Sequence, residues 1–126
     1  METLRKTLVI VGGILLIVFG LFHLSFWNLF DWKNELTKLN LENSNIMQIL
    51  NICISVLLLS FGFIFIFYRK EILNTGIGRA LQIAFSIFFF ARLILGFVFP
   101  GEPIILSFIL LCCALVYLIP AFSKLK

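Results

Sequence analysis

Five residues in this chain have side chains that could hold a ligand from within apolar surroundings: His23, Trp27, Gln48, Asn51 and Arg92. His23 is the single histidine, and an imidazole can donate, accept or carry a proton near neutral pH. The Arg92 guanidinium offers a fork of donors to an anionic or carbonyl oxygen. The amides of Gln48 and Asn51 donate and accept at once, and Trp27 joins an apolar ring to one N–H donor. Together these groups suit the polar head of a small amphipathic or lipid-like molecule.

Other chemistries find less support. The three cysteines, Cys53, Cys112 and Cys113, fall inside apolar runs, and an odd number with two adjacent is no disulfide framework. Small bacterial mercury transporters carry a vicinal cysteine pair in the first helix. Here the pair lies in the fourth, without the successive thiolate sites a soft-metal relay needs. One histidine cannot give bis-histidine haem ligation, and Met1 and Met47 are poorly placed as alternatives. No acid–base pair, nucleophile triad, phosphate loop or metal-ligand spacing is present, so neither cofactor nor metal is expected and an enzyme using His23 is a minor reading.

The elements that would position these residues follow from composition. Hydrophobic residues make up 62% of the 126 and charged residues 13%, against about 45–50% and about 25% in soluble domains. A chain this short cannot hide so much apolar surface in one core, so lipid is the expected solvent and residues 1–126 one integral membrane domain. The net charge of +4 comes from basic residues flanking apolar runs, without a basic face, which argues for membrane orientation and against nucleic acid.

Four apolar runs predict an all-α, four-transmembrane-helix bundle with helices at about 8–30, 46–73, 78–99 and 103–122. The first run, Leu8–Phe30, is about 35 Å long as a helix and has no cleavage site, so it is expected to be retained. Between the first two helices, Trp32, Leu36 and Leu39 follow helical spacing and predict a short amphipathic surface helix. Asn45 with Gln48 resembles a capping box opening helix two. The turn PGEP (Pro100–Pro103) precedes helix four, and Pro120 sits near that helix's end. Short connections after helices two and three predict up-down-up-down topology.

Arg5, Lys6, Arg69, Lys70, Arg79, Lys124 and Lys126 flank one side, and only Lys33 and Lys38 the other. That bias puts both termini in the cytoplasm of a multi-pass protein of the cell (inner or plasma) membrane. His23 and Arg92 are then each expected roughly 10 Å inside the outer end of their helices, level with Gln48 and Asn51. At about 100° per residue, Gly13, Gly20, His23, Trp27 and Asp31 share one arc of helix one. Gln48, Asn51, Ser55 and Gly62 share one on helix two, and Phe85, Phe89, Arg92 and Gly96 one on helix three. Helix four offers Ser107, Ala114, Tyr117 and Ala121. Small residues mark helix contacts in membranes, so the polar groups are expected to point inward. Phe61–Tyr68 (FGFIFIFY) looks lipid-facing.

The segments GLFHLSFWNLFDWKNEL, MQILNI and GRALQIAFSIFFFARL resemble a group of small bacterial four-helix integral membrane proteins. The resemblance implies that architecture, in a bacterial inner membrane, and carries no activity or site. Small multidrug exporters share the length and helix count, but their membrane-embedded glutamate in helix one has no counterpart before Asp31. The first reading is therefore a binding protein for an amphipathic or lipid-like ligand in a polar-lined cavity of the outer half, with membrane lipids as partners. The alternatives are an accessory or structural subunit, and a small transporter working as a homodimer. The lack of a matching polar set in the inner half, apart from Arg79 and Gln82, counts against a channel.

Overall fold

Where water is excluded, a single chain segment satisfies its backbone N–H and C=O groups by coiling into a helix. The computed structural model describes residues 2–99 and 101–123, and among these it contains helices and no strand. In order they are α1 (Glu2–Leu24), α2 (Phe26–Leu29), α3 (Trp32–Glu35), a 3-10 turn (Leu36–Lys38), α4 (Leu41–Phe67), α5 (Arg69–Asn74), α6 (Gly76–Val98) and α7 (Ile104–Phe122). Four of them, α1, α4, α6 and α7, are long and apolar enough to cross a membrane. Most large apolar side chains, such as Val18, Ile49, Ile87 and Phe108, face outward, while a small set closes the centre. That inverted distribution fits a small membrane protein.

The tightest seam joins α1 to α4. A Cβ on Gly13 would stand 2.9 Å from the Gly62 carbonyl oxygen, and one on Gly62 would stand 2.9 Å from that of Gly13. The backbones touch there, and only glycine on both sides allows it. Further along, Gly20 meets Ser55 and Leu59, and His23 meets Asn51. Numbers rise on α1 as they fall on α4. On the other side, α6 packs along α7, where Ser86 Oγ donates to the Ala114 carbonyl at 2.9 Å. The two pairs are joined by α1 against α7, where the Tyr117 hydroxyl donates to the Gly12 carbonyl.

Aromatic rings fill the middle. Phe89 stacks on Tyr117 at 5.6 Å, Phe65 and Phe85 meet edge-on at 5.5 Å, and Phe19 reaches Phe89 at 5.5 Å. Such ring pairs add directional preference to plain packing, so they set the rotation of each helix about its axis.

Several expectations need correction. Helix one runs over Glu2–Leu24 and not to residue 30. Ser25 Oγ donates to the Phe22 carbonyl at 2.6 Å, and the Ser25 N–H is shared between Leu21 and Phe22. This competition loosens the last turn and stops the helix inside an unbroken apolar run. Asp31 then takes the left-handed conformation, φ 48°, which a short polar side chain tolerates. The surface helix is reduced to one-turn α3 and a 3-10 turn, with Leu36 buried. Helix two begins at Leu41, capped by Asn40 Oδ1 accepting from the Asn43 N–H at 2.8 Å, and not at the Asn45–Gln48 pair. It breaks at Tyr68 before α5, where one helix to residue 73 was expected. Phe65 and Gly62 are buried, so FGFIFIFY turns only its other side outward. The third and fourth spans, α6 and α7, lie within two residues of their expected bounds. Met1, Pro100, Lys124 and Lys126 of the sequence reading lie outside the described residues.

Candidate functional site

The early stop of α1 decides where the polar residues go. His23 becomes the second-last residue of its helix, so it stands at the helix end and not two turns within. Its ring lies against α4. His23 Nδ1 and Asn51 Oδ1 are 2.9 Å apart, and Asn51 Nδ2 donates to the His23 carbonyl at 2.8 Å. The second bond fixes the amide, because only the nitrogen end can donate to a carbonyl. Oδ1 therefore faces Nδ1, and the neutral imidazole must carry its proton on Nδ1. Nε2 is left as an acceptor with no partner among the described residues.

Aromatic rings pack beside the imidazole. Phe26 lies over the imidazole at 4.5 Å, Phe22 stands edge-on to both, and Trp32 packs edge-on to Phe26 at 5.9 Å. Trp27, expected on the same arc as His23, is instead 46% exposed. The break at Ser25 resets the rotation of everything after it, so Phe26 and Trp32 take the places that spacing assigned to Trp27 and Asp31. Sequence reasoning missed both rings. The signal available was Ser25, one serine within an apolar run.

Gln48 stays with its own helix, its Nε2 donating to the Ser44 carbonyl at 3.2 Å and reaching Ser44 Oγ at 3.4 Å. Arg92 is joined to Glu102, across the α6–α7 connection, by an ion pair between Nη2 and Oε1. Gly96 leaves the space for it, since a Cβ there would lie 2.9 Å from Glu102 Oε2. The side chains of Arg92 and Glu102 are 39% and 32% exposed, so the pair is accessible and keeps unused donors.

The two polar pairs therefore sit on different helix pairs. Their level is set by the ring contact beneath them. Phe19 meets Phe89, and α1 and α6 both start at the end where Arg5 and Gly76 line one recess. His23 follows Phe19 by four residues and Arg92 follows Phe89 by three, about 6 and about 4.5 Å further along. His23 and Asn51 are in direct contact, Arg92 stands at the same level with a carboxylate partner, and Gln48 and Trp27 join neither pair. Chemically, this end offers one imidazole acceptor and the spare donors of one guanidinium. No group of three or more His, Cys, Asp or Glu that could hold a metal occurs among the described residues.

No protein family, curated protein or solved structure matches this chain. The resemblance to small bacterial four-helix membrane proteins accordingly adds nothing to the site, which rests on its own geometry.

Proposed function

We propose that the chain is a small multi-pass protein of the cell (inner or plasma) membrane that binds an amphipathic, lipid-like molecule at its His23 end. In this reading the spans run up-down-up-down, both termini are cytoplasmic, and the His23 end is extracytoplasmic. The opposed numbering along α1 and α4 and the clustering of Arg5, Lys6, Arg69, Lys70 and Arg79 toward the other end support that topology.

The observation that carries the reading is the unused bonding capacity beyond the Phe19–Phe89 contact. His23 Nε2 accepts a hydroxyl, and Arg92 donates to a carbonyl or anionic oxygen. A head group bearing both would bridge the two helix pairs, and its chain would lie along the outward apolar faces. Lipid extraction and mass spectrometry of the purified protein test this. The bound species should fall in both His23→Ala and Arg92→Gln, with helix content by circular dichroism unchanged.

A second reading draws on the same bonds. His23–Asn51 and Arg92–Glu102 already satisfy each other, as expected of an accessory subunit whose polar residues only join helices. Retained lipid that is unchanged in both variants, with a lower melting temperature, would select it over ligand binding.

A further inference from the structure

At the opposite end of the bundle the polar groups are not paired off. A recess of about 70 Å³ lies where α6 begins, lined by Arg5, Thr75, Gly76, Arg79 and Gln82 among others. A water needs roughly 10–15 Å³ on this measure, so the space admits several waters or one phosphate-sized group.

Gln82 is 1% exposed, and its Nε2 donates to the Ile72 carbonyl at 2.9 Å and the Gly78 carbonyl at 3.2 Å. Two carbonyl partners fix the amide, so Oε1 is a true acceptor, and it is buried without a partner. Arg5 spends Nη2 on the Leu73 carbonyl at 3.0 Å, while its buried Nε–H also has no partner. Arg79 lines the same recess. The 23-residue helix α6 starts there, with Thr75 Oγ1 capping the Gly78 N–H at 3.0 Å. The N–H groups of Gly76 and Ile77 have no acceptor among the described residues. Nothing lies within 4 Å of a Cβ built on Gly76, so that backbone can be approached closely.

Two guanidinium groups and the positive end of a long helix select an anion. Gln82 Oε1 asks for something else, a hydrogen-bond donor. We infer that this recess binds a phosphate group with a neighbouring hydroxyl, the oxygens taken by Arg5, Arg79 and the start of α6 and the hydroxyl by Gln82. Two molecules carry that chemistry, a glycerophospholipid head group and a soluble glycerol phosphate. The site is independent of the His23 end, and neither proposal depends on the other.

Nanodiscs provide the test on the full chain. Native mass spectrometry in phosphatidylcholine discs doped with phosphatidylglycerol should show retained phosphatidylglycerol in preference to phosphatidylethanol, which has the same charge and no hydroxyl. Arg79→Gln, at an exposed position, should weaken retention about tenfold, the loss of one charge-assisted hydrogen bond. Arg69→Gln, at the same end but outside the recess, should leave it within about twofold. In undoped discs, binding of sn-glycerol 3-phosphate with the same dependence on Arg79, and no phosphatidylglycerol retention in the doped ones, would support the soluble source. Equal losses from the two arginine variants would mean diffuse charge attraction and overturn the site. Equal retention of phosphatidylglycerol and phosphatidylethanol would remove the role of Gln82. Binding of neither probe would leave a recess filled by water and end the proposal.

Discussion

The two ends of the bundle solve the same problem in different ways. Each sets polar side chains next to apolar helices. At the His23 end each side chain has a side-chain partner, Asn51 with His23 (and also the His23 carbonyl) and Arg92 with Glu102 of the α6–α7 connection. At the Gln82 end side chain meets backbone, Arg5 on Leu73 and Gln82 on Ile72 and Gly78, and one buried atom of each is left over. A backbone carbonyl can take only a donor, so amide and guanidinium groups anchored this way retain an unmatched acceptor or donor. A side-chain pair can close on itself. The first arrangement leaves its spare capacity on accessible atoms, and the second leaves a buried donor and a buried acceptor unmatched.

The largest expected effect comes from breaking what both ends share. Gly62→Val would drive a side chain into the Gly13 carbonyl and separate α1 from α4. We expect a loss of about 3 kcal/mol of stability, read as a lower midpoint in detergent or urea titration. His23 would move away from Asn51, and Arg5, also on α1, from Leu73, so both ends should lose binding together. A variant that melts early but keeps one end's ligand would show that the ends are supported separately.

Smaller changes act on one end at a time. Asn51→Leu removes both bonds to His23 and should cost about 1.2 kcal/mol at roughly 0.6 kcal/mol per interhelical bond. It also frees the His23 ring to change tautomer, visible in the nitrogen shifts of a histidine-labelled sample. Recess binding at the Gln82 end should be untouched.

Much of this comparison could be read before the fold was known, and the parts that could not have a common cause. Spacing alone placed Phe85 and Phe89 of α6 and Ala114, Tyr117 and Ala121 of α7 on buried faces, and they are buried. Those helices run unbroken, so 100° per residue holds along them. On α1 the same arithmetic holds through Gly13 and Gly20 and fails at Trp27, because it presumes a helix that Ser25 has ended. The capping box read at Asn45 and Gln48 lies inside the helix, because Asn40 caps it five residues earlier. Packing of Leu36 fixes the chain entry near Asn40 instead. The orphan on Gln82 had no local signal, since it depends on a carbonyl ten residues away across the α5–α6 corner.

Tyr117→Phe tests the ground between the ends. The hydroxyl bonds the Gly12 carbonyl, which remains within the α1 helix when the hydroxyl goes, so the cost should be about 0.6 kcal/mol. The stacked contact with Phe89 is kept, so neither end should change its ligand retention. A loss at both ends would mean that this single bond sets the angle between the two helix pairs.

The smallest effect is expected at Arg92 and Glu102, and it bears most directly on the contrast between closed and open pairs. An ion pair this exposed contributes about 0.5 kcal/mol to stability. A double-mutant cycle with Arg92→Gln and Glu102→Gln should therefore return a coupling energy near that value. Ligand retention should behave differently. Arg92→Gln removes the donors a ligand would use, while Glu102→Gln removes only a competitor for them and should hold or raise retention. If both substitutions lower retention alike, the intact ion pair shapes the ligand site; if neither changes it, the pair is glue and the His23 end holds no ligand. If they diverge, the pair is a resting contact that a ligand displaces, and the two ends differ in how they hold a site ready.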